Sequence, residues 1–143
     1  ILEQAIPDIK LNIVGDNSAP SLATINKENI NFTGRLDSVE EMYNASRVFI
    51  APTRFAAGIP HKIHEAAAKG LPSVTTALLA QQLGWKDTKE LLVADTPEAY
   101  AAQCIKLYQD EKLWLDVRDA GLTAIAKDCS QETFRKNLAG LFA

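Results

Sequence analysis

Two cysteines in 143 residues are too few for a disulfide framework, and neither Cys104 nor Cys129 has metal-ligand spacing. Their scarcity fits a reducing compartment, and Cys104 falls in an apolar helical pattern that reads as core. No apolar run approaches the roughly 18–20 residues that a bilayer span requires. Charge of one sign is also lacking. Fifteen Lys and Arg stand against 18 Asp and Glu, a net charge of −3, with both signs mixed along the chain. A nucleic-acid partner usually demands a concentrated basic face, so none is expected. No Gly-x-Gly-x-x-Gly follows any apolar run, and no Walker lysine motif is present. The dinucleotide and P-loop readings are therefore weak, and a dehydrogenase fragment is disfavoured. Low-complexity segments, linkers and internal repeats beyond the strand–helix unit are absent as well. The chain opens on Ile1, not Met, and residues 1–8 read as a helix end and a Pro-containing connector with no signal-peptide pattern. The expectation is that an upstream part precedes it.

What remains is an ordinary globular composition, 47% hydrophobic and 23% charged, with length for one domain. Five short apolar runs recur: Leu11–Gly15, Ile30–Gly34, Val48–Ala51, Pro72–Thr76 and Leu91–Ala94. Each is rich in β-branched or large apolar residues and ends near a turn former, the signature of a short strand. Helical signals lie between them. Asp37 reads as a cap with Glu40 and Glu41 in the first turn, and Pro60–Lys69 carries Pro at its start and Gly70 past its end. Strand and helix at this spacing imply right-handed crossovers and a parallel sheet. The last third reads as three amphipathic helices, Thr96–Gln109, Glu111–Lys127 and Gln131–Phe142, the last capped by Ser130, with Tyr100, Cys104, Tyr108, Trp114 and Val117 facing inward. Ligands of open parallel sheets sit beyond the carboxyl ends of the strands. The loops starting at Gly15, Gly34, Pro52, Thr76 and Asp95 should face any site.

The chemistry concentrates between Ala51 and Pro72. A buried strand runs through a loop of small residues into a helix. Small residues let backbone approach a ligand, and a helix start offers free N–H groups that suit phosphate. Arg54 and Lys62 add positive charge on either side of the loop. His61, Lys62, Glu65 and Lys69 share one helix face, while Ile63, Ala66 and Ala67 point elsewhere. A bland reading stands beside this one. Lys62 and Glu65 can be a surface pair worth about 0–1 kcal/mol, His61 and His64 surface groups, and the loop a mere turn.

In order and spacing these residues resemble the donor-site signature of group 1 glycosyltransferases, a large retaining family with two Rossmann-like domains. The resemblance rests on Ala51-Pro52, Arg54, Ala57-Gly58, Lys62, Glu65-Ala66, Gly70-Leu71-Pro72 and Val74-Thr75-Thr76. It extends through Leu11–Gly15, Phe32–Leu36, Leu83-Gly84-Trp85, Glu90–Asp95 and Leu107–Asp110, nearly the whole chain. It implies an α/β, Rossmann-like three-layer sandwich with a mainly parallel sheet of about five strands and a helical C-terminal part. Residues 1–143 would be a single nucleotide-sugar-binding domain, a fragment of a two-domain enzyme. In the family's strand order the first strand lies between Leu11–Gly15 and Val48–Ala51. That strand is expected upstream; the alternatives are a strand borrowed from another copy, or direct pairing of Leu11–Gly15 with Val48–Ala51, which would make Ile13 and Phe49 ladder neighbours.

Carried over by position, the resemblance gives Glu65 the nucleotide ribose, and Lys62 and Arg54 the diphosphate as the catalytic charges. Ala57, Gly58 and Ile59 would offer backbone to phosphate or transferred sugar, and Arg35 and Leu36 would line the base. Ala57 stands where the family's motif has its first acid, so no carboxylate reaches the transferred sugar from there. The implied function is transfer of a hexosyl group from a nucleoside-diphosphate sugar with retention, without cofactor or metal. A saccharide or lipid-linked acceptor would be held mainly by the absent N-terminal domain, so this chain alone should be inactive. The setting is carbohydrate biosynthesis in the cytoplasm, compatible with peripheral association at the inner face of the cell membrane. The rival reading is a non-catalytic α/β nucleotide-binding or interaction domain.

Overall fold

In the computed structural model, which describes residues 1–25 and 27–141, the chain divides into two compact units, Ile1–Ser46 and Arg47–Ala143. The first holds α1 (Leu2–Ala5), β1 (Leu11–Val14), α2 (Pro20–Ala23), β2 (Ile30–Gly34) and α3 (Glu40–Ala45). β1 and β2 are parallel, with Leu11 opposite Ile30 and Ile13 opposite Phe32, and the register shifts between Ile13 and Val14. One face of this ribbon is polar: Asn31 Nδ2 donates to Asn12 Oδ1 across the ladder at 3.2 Å. The Glu3 carboxylate accepts from Asn29 Nδ2 at 2.7 Å and Lys27 Nζ at 3.2 Å, tying α1 to the segment ahead of β2. α3 begins three residues after Asp37. Ser38 Oγ, not Asp37, accepts from the Glu40 N–H at 3.3 Å, because a side chain two residues back reaches the first free amide of the turn.

The second unit holds β3 (Phe49–Ala51), α4 (His61–Ala68), β4 (Ser73–Thr75), α5 (Ala77–Leu83), β5 (Leu92–Val93), α6 (Pro97–Gln109), α7 (Glu111–Asp128) and α8 (Gln131–Gly140). Its strands form a parallel sheet in the order β3-β4-β5. All five expected strands therefore exist and pair in parallel. Phe49 lies opposite Ser73, and the ladder neighbour of Ile13 is Phe32. Ala51, Ile63, Ala67, Leu79, Ala80, Trp85 and Leu91 form one buried cluster between sheet and helices. β4 is buried along its whole length, Ser73 and Thr75 included, as a central strand covered on both faces should be.

The helices follow their local signals. Ser130 Oγ caps α8 by accepting from Thr133 N–H at 3.1 Å, as read from the sequence. Thr96 Oγ1 and Asp110 Oδ1 do the same for α6 and α7. The stretch expected to run to Phe142 is helical as far as Gly140, and Phe142 lies outside the described residues. Cys104 is buried in α6 beside Leu107, which is fully buried. α7 packs on α4 at Gly121, where a Cβ would stand in ordinary contact, 3.6 Å from Ala67 Cβ and from the Glu90 carbonyl oxygen. Arg47, leading into β3, is clamped by α6 and α7. Its Nε donates to the Tyr108 carbonyl at 2.8 Å, the Arg47 carbonyl accepts from Trp114 Nε1 at 2.7 Å, and the Arg47 guanidinium lies over both rings.

Candidate functional site

The segment singled out in the sequence forms a shelf following β3. Ala51 ends the strand buried, Pro60 precedes α4 buried, and Arg54 to Ile59 between them are all exposed. On α4, Ile63, Ala66 and Ala67 are buried while His61, Lys62, Glu65 and Lys69 are exposed, so the polar face read from the spacing is the outer face. Lys62 reaches back over the loop, its Nζ donating to Thr53 Oγ1 at 2.9 Å. Gly58 has φ +83, a conformation costly for other residues, and a Cβ there would meet nothing within 4 Å. Glycine is therefore required by the backbone and leaves the loop open to an approaching group.

The loop is held from outside itself. Thr76 Oγ1 donates to the Thr53 carbonyl at 2.8 Å, and Gln82 Nε2 donates to the Ala56 carbonyl at 3.1 Å. Asp95, after β5, accepts from the Ala77 N–H at 3.0 Å and so fixes the start of α5, the helix that carries Gln82. The loops leaving β3, β4 and β5 are thus linked to one another. Gln82 Oε1 is buried and makes no hydrogen bond among the described residues. Beneath the shelf, the Tyr100 hydroxyl accepts from the Ala51 N–H at 2.9 Å and donates to the Val74 carbonyl. Burial drives the Tyr100 pKa well above its ordinary value, keeping the donating form in place.

Other assigned residues fall elsewhere. Arg35 and Leu36 follow β2 in the first unit and are exposed, Leu36 at 39%. His64 is not a plain surface group. It is half-buried, its ring 5.5 Å from that of Trp85 and its Nδ1 3.9 Å from Cys129 Sγ. Burial, helped by the nearby His61 charge, lowers its pKa, and Asp128 opposes the shift. Among the described residues no group of three His, Cys, Asp or Glu could hold a metal, and no helix is long and apolar enough to cross a membrane. A shallow surface dimple lies at the amino end of β4, lined by Gly70, Pro72, Ser73, Arg118 and Gly121 among others, and none of the assigned site residues lines it. The sequence placed Thr76 and Asp95 at strand-end loops and Tyr100 in the core, but gave no bonding role to these or to Thr53 and Gln82. Each acts by bonding a group 9 to 49 positions away, which no local pattern records.

The family profile described as glycosyl transferases group 1 matches residues 1–110, more than three quarters of the chain. The chain belongs to the group 1 glycosyl transferases. Two solved structures share its fold. The crystal structure of TarM superposes with a TM-score of 0.82 at 13% identity, covering 99% of this chain and 30% of that one. Anabaena HepE, in complex with UDP and glucose, gives 0.74 at 14% identity, covering 99% and 43%. This glycosyl transferase chain therefore spans less than half the length of each of these two structures. No curated protein matches it. The matched residues include the whole shelf from Ala51 to Gly70.

Proposed function

We propose that this chain is the donor-binding part of a glycosyltransferase that uses a nucleoside-diphosphate sugar. One observation carries the reading. In a group 1 glycosyl transferase, the strand–loop–helix from β3 to α4 sets Lys62 over a latched, open loop, with Glu65 three residues further along the exposed helix face. Lys62 and Arg54 stabilise the departing diphosphate, whose negative charge grows as the glycosidic bond breaks. Glu65 accepts charge-assisted hydrogen bonds from ribose hydroxyls. The Ala57–Ile59 backbone approaches the phosphate or the transferred hexosyl group. HepE, crystallised with UDP and glucose, is a fold relative that accommodates both halves of such a donor. The acceptor, a saccharide or lipid-linked saccharide, is held by a partner domain, so the isolated chain transfers nothing. Transfer proceeds with retention and without metal, in the cytoplasm.

The test is calorimetric titration with UDP, GDP, ADP, CDP and dTDP, their nucleoside monophosphates, and their hexose conjugates. One diphosphate should bind at least tenfold tighter than its monophosphate, and Glu65→Ala should weaken it. If no nucleotide binds, or monophosphate and diphosphate bind alike, the donor reading is wrong.

A further inference from the structure

Phe55 is 91% exposed, the most exposed of the large hydrophobic side chains described. Full burial of such a ring is worth about 1.5–3 kcal/mol, so a mobile loop would fold it down onto neighbouring apolar surface. This loop is not free to do so. The carbonyls of Thr53 and Ala56, which bracket Phe55, are held by Thr76 and Gln82 at 2.8 and 3.1 Å. Those hydrogen bonds hold the backbone on either side of the exposed ring. An aromatic side chain has only two rotatable bonds, so on a fixed backbone it loses little entropy when it meets a ligand.

The order of groups along the shelf indicates which part of a ligand it meets. Glu65 lies about 4.5 Å of helix rise beyond Lys62, and the loop tip lies on the opposite side of Lys62 in the chain. With ribose at Glu65 and diphosphate at Lys62 and Arg54, the group beyond the diphosphate arrives at the loop tip. That group is a hexopyranose ring, whose C–H face is complementary to an aromatic ring. We infer that Phe55 is the residue that contacts the transferred sugar and discriminates among donor sugars. This rests on the donor-site reading above, and Phe55 adds an aromatic platform, which the other assigned residues lack.

The experiment compares wild type, Phe55→Ala and Phe55→Trp with the five nucleoside diphosphates and their glucose, galactose and mannose conjugates. For the nucleotide that binds, Phe55→Ala should leave the diphosphate Kd within twofold. It should weaken the preferred hexose conjugate about three- to tenfold, and Phe55→Trp should retain or regain that affinity. Equal losses for diphosphate and conjugate would place Phe55 on the nucleotide and overturn the inference. So would an unchanged conjugate Kd in Phe55→Ala, or a wild type that binds conjugate no tighter than diphosphate. Failure of every diphosphate to bind wild type removes the donor reading itself, a result distinct from a Phe55 substitution without effect.

Discussion

Replacing Tyr100 with Phe deletes one oxygen and leaves the ring in place, which isolates the hydroxyl that joins β3 to β4. That oxygen accepts from Ala51 N–H and donates to the Val74 carbonyl. Two hydrogen bonds at about 0.5–1.5 kcal/mol each, or one buried group left unpaired at about 1–3 kcal/mol, both give a loss near 2 kcal/mol. With a urea slope of roughly 1–3 kcal/mol/M for a unit of this size, the midpoint should fall by about 1 M. Fluorescence is a suitable probe, because Trp85 and Trp114, the only two tryptophans, both lie in the second unit. The pH dependence supplies a second check. Burial raises the folded pKa of Tyr100. The stability that depends on the neutral phenol is therefore complete below the unfolded value near 10 and lost as pH rises past it. The Tyr100→Phe variant would lack that alkaline loss. A midpoint shift under about 0.3 M, with the alkaline limb unchanged, would show that Ala51 and Val74 satisfy each other without the hydroxyl, and the reasoning would fail.

Gln82→Leu should leave thermal stability nearly unchanged, because losing the bond to Ala56, about 1 kcal/mol, is offset by removing the buried unpaired Oε1. It should nonetheless weaken nucleotide-sugar binding by freeing the loop, and unaltered affinity in calorimetry would rule out a latch. A thiol reagent at pH 8 should modify Cys129 quickly and Cys104 only in denaturant, since burial pushes the Cys104 thiol up to about 11; two fast thiols in the native chain would contradict this. Because the folded pKa of His64 is lowered, its contribution is whole above the unfolded value near 6.5 and declines as pH falls through it. His64→Gln should therefore lose less melting temperature than wild type between pH 7 and 5.5, and parallel curves would count against it.

The strands and long helices were legible because their signals are local. Each strand is a run of β-branched and apolar residues bounded by turn formers, and α6 to α8 carry periodic apolar faces with capping residues. The polar face of α4 followed from spacing alone. α2, a single turn of four residues, has no period to read. α5 had readable ends, with Thr76 before it and Gly84 in the left-handed conformation after it, but its seven residues were passed over beside stronger neighbours. Residue types of the site were visible; their supports were not. Gln82 binds a carbonyl 26 positions away, and glutamine on a helix predicts no such partner. Tyr100 looked like core, and its ring is partly buried, but nothing local indicated that its hydroxyl would meet two strands.

The latches on the loop also impose an order in time. Thr53 waits for Thr76, Ala56 for Gln82, the start of α5 for Asp95, and the end of β3 for Tyr100, 49 positions downstream. Every tie points toward later sequence. A ribosome adding about 5–20 residues per second therefore leaves residues 52–60 unsecured for several seconds after they emerge. The segment that carries Arg54 and Phe55 is made early and finished late. The wiring of the fold thus makes the finished form of this loop a late event, one that waits until α6 has begun to pack.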